Sequence, residues 1–310
     1  MMKPRIGISA CLLGRKVRHN GGDKRNDWLV DQLGRFVEWV PFCPELEMGL
    51  GVPRPTMRLK GKLKDPQLIV KGTEQNLTLL ARSTAERLLS EDLKLDSFIF
   101  KKGSPSCGLE HVKIYGKNDS PSSSAIGFFA AAFKEKNPSL PVIEEGRLSD
   151  PRQRERYLVK LFAFVRLRRL PREVASLQNY HKNQRFILMA HAPGHCRRLG
   201  AIAANSENIG VNELFSNYQS LFLDVINTSP SCNHWINVLL HMLGFFKNEI
   251  SGGEKQQILR TFDDYRCGAL PLIAVMTLMH HLAEKYSNRY LLDQAVFEPY
   301  PKGLLVMDRN

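Results

Sequence analysis

The chain has 310 residues, 43% of them hydrophobic, and a formal net charge of +13, which is room for two domains with packed cores. No apolar run approaches the ~20 residues of a membrane span. The six cysteines are too few and too scattered for a disulfide scaffold. The opening Met1-Met2-Lys3-Pro4-Arg5 leads into an apolar run too short for a signal peptide. A cytoplasmic protein with reduced thiols is therefore expected.

In chain order, Ile6–Ala10 reads as a strand, Asn26–Phe36 as a short helix and Val37–Phe42 as a second strand. Residues 44–72 are rich in Gly, Pro, Lys and Arg and read as loops, with a short strand at Leu68–Val70. Asn76–Leu89 has a helical apolar period, and Ser97–Phe100 is a third strand that breaks at Gly103. Residues 117–124 read as a turn or loop, Ser124–Lys134 as a helix and Pro141–Glu144 as a last strand. Alternating strands and helices predict an α/β domain with a mostly parallel sheet and Rossmann-like layers over residues 1–150.

Ser149-Asp150-Pro151 then starts a helix with apolar residues at Leu158, Leu161, Phe162 and Val165, and Pro171 stops or kinks it. Most of the excess charge sits here. Residues 151–198 hold 12 Lys and Arg against Glu155 and Glu173 alone. Such a block is a plausible polyanion footprint, with a solvated helix face as the alternative. Residues 151–183 are read as a basic helical linker. From 184 to 310 nearly every segment is helical: Gln184–Ala192, His195–Asn205, Glu213–Asn227, Cys232–Lys247, Gly253–Cys267 and Pro271–Lys285. An all-α C-terminal domain follows, without internal repeats.

Three cysteines sit in loops directly after predicted strands. Cys11 lies in Ser9-Ala10-Cys11-Leu12-Leu13-Gly14, Cys43 in Cys43-Pro44-Glu45, and Cys107 in Gly103-Ser104-Pro105-Ser106-Cys107-Gly108. In an α/β sheet, successive parallel strands end on one edge, where ligands bind. Three thiols delivered there would converge, and three thiolates without a fourth ligand suit an iron–sulfur cluster with one iron open to substrate. Glu45 is placed to act as an acid or base beside the metal. A rival reading takes Cys232 with His234 and His191 with His195 as zinc pairs, but no Cys-x2-Cys spacing supports it. His191 and His195 read more simply as one face of a helix.

Together these three motifs, with Pro53-Arg54-Pro55 behind the second, resemble the thiouracil desulfidase (TudS-like) family over residues 4–147. The second half resembles the YbgA-like helical domain, through Leu188-Met189-Ala190-His191-Ala192-Pro193, Tyr265-Arg266, Leu270-Pro271-Leu272, Gln294 and Pro299-Tyr300-Pro301. The fused arrangement is similar to enzymes that desulfurate 4-thiouridine in tRNA. This resemblance implies a [4Fe-4S] cluster on Cys11, Cys43 and Cys107 with a free fourth iron, and catalytic roles for Glu45 and Ser104. The chain departs from the family pattern at His19-Asn20 and at Thr56-Met57-Arg58, which bears on substrate preference.

The reading is a hydrolytic, non-redox desulfidase. The open iron polarises the C–S bond as a Lewis acid, Glu45 activates water, and Ser104 steadies the substrate or passes a proton. Uridine and hydrogen sulfide are the products. Arg166, Arg168 and Arg169 are expected on tRNA phosphates. Free thiouracil or a thionucleoside as substrate, and a non-catalytic iron–sulfur redox sensor that binds nucleic acid, are the alternatives.

Overall fold

The computed structural model describes residues 3–90, 92–116 and 120–304, without the side chains of Ser122 and Ser123. The chain divides into two compact units. One holds the described residues up to Leu161 and those from Pro301 onward, and the other is Phe162–Tyr300.

The first unit is α/β. Its principal sheet is formed by β1 (Arg5–Ser9), β2 (Glu38–Phe42), β5 (Ser97–Phe100) and β8 (Val142–Glu144), in the order β2-β1-β5-β8, all parallel. Ile6, Ile8, Phe98, Ile99 and Phe100 are fully buried, the pattern of a parallel sheet covered on both faces. Gly7 lies opposite Phe98, and a Cβ there would come within 2.3 Å of the Phe98 ring. Glycine lets that ring lie flat across β1. Phe98 stacks on Phe100 at 4.1 Å between ring centroids and meets Phe133 at 4.8 Å. Phe42 and Phe129 complete this core.

A second sheet was not expected. It pairs β3 (Met57–Lys62), β4 (Asp65–Val70), β6 (Val112–Tyr115) and β7 (Pro121–Ala125) in the order β4-β3-β6-β7. Its pairings are antiparallel except β3 with β6. The loop reading of 44–72 is thereby corrected: beyond a one-turn helix α1 (Pro44–Glu47), the segment holds a full hairpin. Leu59, Leu68, Val112 and Ile114 bury one face of this sheet with Leu77 and Ala81. Residues 121–124 of the expected loop lie in β7, and 117–119 lie outside the described residues. α2 (Thr78–Leu88) and α3 (Phe128–Lys136) are two further helices of this unit. The latter starts four residues later than its sequence signal. Asn26–Phe36 forms a π turn at Trp28–Gln32 running into a 3-10 turn at Leu33–Arg35.

The division between units falls inside α4 (Pro151–Arg168). The second unit is all helical, with α5 (Val174–His191), α6 (Pro193–Ala204), α7 (Val211–Asn227), α8 (Cys232–Leu243), α9 (Gly252–Arg266), α10 (Leu272–Lys285) and α11 (Arg289–Leu292). α5 packs against α6, α7 and α8 through Leu177, Tyr180, Ile187 and Leu188. Ser231 and Ser251 cap α8 and α9, accepting from the amides of His234 and Glu254, as N-cap serines do. Among the described residues no helix is long and apolar enough to cross a membrane.

Candidate active site

Parallel pairing sets Ser9 opposite Phe42 and Ile8 opposite Ile99, so β1, β2 and β5 end at one edge of the sheet. Each strand hands the chain to a short turn. β1 runs into a 3-10 turn, Ala10–Leu13, that carries Cys11. β2 is followed by Cys43, the residue preceding α1. β5 leads to the Ser-Pro-Ser-Cys loop, tied back to the sheet edge where the Lys101 amide donates to Ser9 Oγ at 3.0 Å.

All three thiols are free and close enough to act on one another electrostatically. Burial pushes Cys11 up to about 11, opposed first by Lys101 and raised further by Cys43. Burial also raises Cys43. Cys107 stands well above its ordinary value through burial, with Glu45, Cys43 and Cys11 all adding to the rise and Ser9 opposing it. Desolvation thus keeps these thiols protonated in the metal-free protein, and a metal must expel their protons to bind.

The Cys107 loop is fixed from three sides. Ser104 Oγ accepts from the amides of Ser106 (3.2 Å) and Cys107 (3.0 Å). The buried carboxylate of Glu144, at the end of β8, accepts from the amides of Leu109 (2.8 Å) and Glu110 (3.1 Å). Gly108 has no room for a side chain, since a Cβ would meet Val112 Cγ2 at 2.3 Å and the Ser104 carbonyl at 2.7 Å.

Glu45 lies among these groups. Its Oε1 accepts from Ser106 Oγ at 3.3 Å and, at the limit of a hydrogen bond, from Ser104 Oγ at 3.5 Å. Its Oε2 is paired with the guanidinium of Arg54, which also donates to the carbonyls of Gly51 and Val17. The Val17 carbonyl lies 3.9 Å from the Cys43 sulfur. The structure therefore brings together Cys11, Cys43, Cys107, Glu45 and Ser104. Sequence reasoning missed the site roles of Arg54, Ser106 and Glu144. Pro53-Arg54-Pro55 was the one available signal for Arg54, since a lone arginine between prolines is held in place by its backbone.

The donor set fits an iron–sulfur cluster better than a single ion. Among the described residues no three His, Cys, Asp or Glu side chains come close enough to share one metal ion. A cluster is held by thiolates, and three thiols lie at these strand ends. The zinc pairs form no such group either, among the described residues. His191 ends α5, and His195 belongs to α6, so they share no helix face. His191 Nδ1 bonds the Thr228 carbonyl at 2.6 Å, and His234 Nδ1 the Ala190 carbonyl at 3.0 Å.

The basic block needs one correction. Leu161 to Val165 and Leu167 are all buried, so α4 is covered on every side there. Arg166 is turned inward, where Nη2 donates to the Pro299 carbonyl at 2.9 Å. Burial lowers its pKa, and its Nε has no partner. It is only partly exposed, and its Nη2 is taken by that carbonyl. Arg168 is half-buried, with its guanidinium 5.8 Å from the centre of the Phe164 ring. Arg169 is exposed, as are Arg172, Lys182, Arg185, Arg197 and Arg198 of the same unit.

Comparison with known proteins places both halves. Residues 6–145 match the family described as 2-thiouracil desulfurase, and residues 185–301 match a family of proteins of unknown function, DUF1722. The chain is 27% identical over 149 residues to the uncharacterized protein YbgA of Escherichia coli K12, covering 47% of this chain and 88% of that one. A solved structure, the [4Fe-4S]-dependent thiouracil desulfidase TudS, shares 31% identity over 47% of this chain and 94% of its own, with a TM-score of 0.39. The chain therefore belongs to the 2-thiouracil desulfurase family through its first half, with a domain of the DUF1722 family behind it.

Proposed function

We propose that this protein is a non-redox desulfidase that replaces the thiocarbonyl sulfur of a thiolated uracil by oxygen, acting on 4-thiouridine in tRNA. One observation carries the reading: three thiols, two of them buried, at the ends of three parallel strands, with a carboxylate held among them. Cys11, Cys43 and Cys107 would hold a [4Fe-4S] cluster and leave one iron without a protein ligand. Bound there, the cluster supplies a Lewis acid for the thiocarbonyl sulfur.

The remaining chemistry belongs to the chain. Glu45 Oε1 takes a proton from the water that attacks the ring carbon. Ser104 and Ser106, whose hydroxyls meet that oxygen, orient water and substrate. The C–S bond breaks, the water oxygen becomes the carbonyl, and its two protons leave with sulfur as hydrogen sulfide. No electrons are exchanged. A redox sensor has no use for a carboxylate so placed. The exposed Arg169, Arg172, Lys182, Arg185, Arg197 and Arg198 support a grip on RNA phosphates, and the reduced thiols suit the cytoplasm.

The test is sulfide release by anaerobically prepared protein from tRNA carrying 4-thiouridine and from free 4-thiouracil. Faster release from the tRNA, lost as salt rises, is the expected result. Release from the free base alone would assign a small-molecule enzyme. Release from neither, with the cluster intact, would end the desulfidase reading.

A further inference from the structure

The geometry points to Arg54 as the positioning residue that aims Glu45, an inference that rests on the desulfidase reading above. Arg54 is an unusual residue to bury, and its side chain is only 4% exposed. Its donors are divided among three segments. Nε and Nη2 clasp Oε2 of Glu45, Nη1 donates to the Gly51 carbonyl at 2.9 Å, and Nη2 also reaches the Val17 carbonyl at 3.0 Å. Its own amide donates to the His19 carbonyl at 2.8 Å.

The consequence for Glu45 is asymmetric. One carboxylate oxygen is fully occupied by the guanidinium. The other is left toward Ser104 and Ser106, on the side of Cys107. A carboxylate free to rotate would present either oxygen, whereas here two donors of the guanidinium converge on Oε2 and leave Oε1 to the serines. Arg54 need not touch substrate to do this. It ties the segment around Val17 and His19 to the turn after α1, so the wall of the pocket and the orientation of Glu45 are set by the same side chain. A lysine keeps the charge but cannot hold one carboxylate oxygen and two carbonyls from a single planar fork.

The experiment uses full-length, cluster-loaded protein with 4-thiouracil as the probe. Arg54→Ala is expected to keep its iron and sulfide and a near-normal KM while kcat falls about 100-fold, the scale of a misaligned group. Guanidinium chloride at millimolar concentration should restore about a tenth of the lost rate by refilling the site, and methylammonium should not. Combined with Glu45→Gln, Arg54→Ala should cost almost nothing further in kcat, because it acts only through Glu45. In thermal unfolding, Arg54→Ala should lower Tm by several degrees, and the added Glu45→Gln should recover part of that loss by removing the unpaired carboxylate.

Wild-type kcat in Arg54→Ala, fully multiplicative losses in the double variant, or no response to guanidinium would overturn the inference. Should Arg54→Ala lose its cluster, Arg54→Lys decides: a loaded, slow enzyme supports positioning, and a loaded enzyme of normal rate refutes it. Failure of the desulfidase reading would show instead as absence of sulfide release from the wild type, with the coupling in Tm still testing the Arg54–Glu45 pairing.

Discussion

Glu144 offers a measurable link between the sheet and the thiol loop. Its carboxylate is 3% exposed, and Oε1 accepts from the amides of Leu109 and Glu110 at 2.8 and 3.1 Å, immediately after Cys107 and Gly108. Hydrogen bonds to a charged acceptor contribute about 1.5–3 kcal/mol each, and buried amides left without partners cost the protein a similar amount. Glu144→Ala removes both bonds but also relieves the desolvation of a buried carboxylate. The net local cost is then about 2–4 kcal/mol. Glu144→Gln retains a carbonyl oxygen and should cost about 1 kcal/mol.

Amide hydrogen exchange over residues 103–116 reads this directly, since local opening governs exchange. The alanine variant should exchange at least about 30-fold faster there, with β1 and β5 unchanged, because about 1.4 kcal/mol is a factor of ten. Anaerobic preparations should carry less iron, because Cys107 is no longer held. Unchanged exchange and full iron in Glu144→Ala would refute the claim that this carboxylate holds the loop.

Four other expectations follow from the same geometry. Glu45→Gln should keep its iron and lose at least about 10²-fold in rate, as removal of a general base does, measured by sulfide release. Gly108→Ala should unfold the loop or fail to fold, since its Cβ would lie 2.3 Å from Val112 Cγ2, and iron content would show it. Arg169→Ala with Arg172→Ala should weaken tRNA binding and flatten its salt dependence by about 0.7–0.9 log units for each phosphate no longer neutralised, while Arg166→Ala should instead lower the melting temperature.

The fourth expectation concerns acid stability. His181, packed against Tyr218 and beside Arg185, is held down to about 4 from its ordinary 6.5, first by burial and then by the arginine. Between those values the unfolded chain binds the extra proton, so stability falls as pH drops from 6.5 toward 4. The loss is about 2 kcal/mol, discounted for the ring's partial exposure, and His181→Gln should flatten a melting profile taken across that range.

The strands that build the site were legible because each is short and mostly apolar, and a cysteine-bearing turn or loop follows each. Ser97–Phe100 was placed with its observed limits. The second sheet was not legible. β3 reads Met-Arg-Leu-Lys-Gly-Lys, with only Leu59 fully buried, and β4 carries a proline. β7 is Pro-Ser-Ser-Ser-Ala, a composition that signals a turn. Such strands are specified by their partners more than by local preference.

In the site, Cys11, Cys43, Cys107, Glu45 and Ser104 were legible as motifs, whereas the bonds between motifs were not. Nothing local to Arg54 or Glu144 shows that one clasps Glu45 and the other caps Leu109. Arg166 shows the reverse failure. Its charge suggested solvent, but the positions before and after it on α4 are buried, and its guanidinium turns to the Pro299 carbonyl.

The most direct test of the account is the iron and acid-labile sulfide content of anaerobically purified protein, with its visible spectrum. About four iron and four sulfide per chain are predicted for the wild type, lost in Cys11→Ala, Cys43→Ala and Cys107→Ala and retained in Cys196→Ala, Cys232→Ala and Cys267→Ala. A colourless protein that still releases sulfide, or full iron in any one of the first three variants, would contradict it.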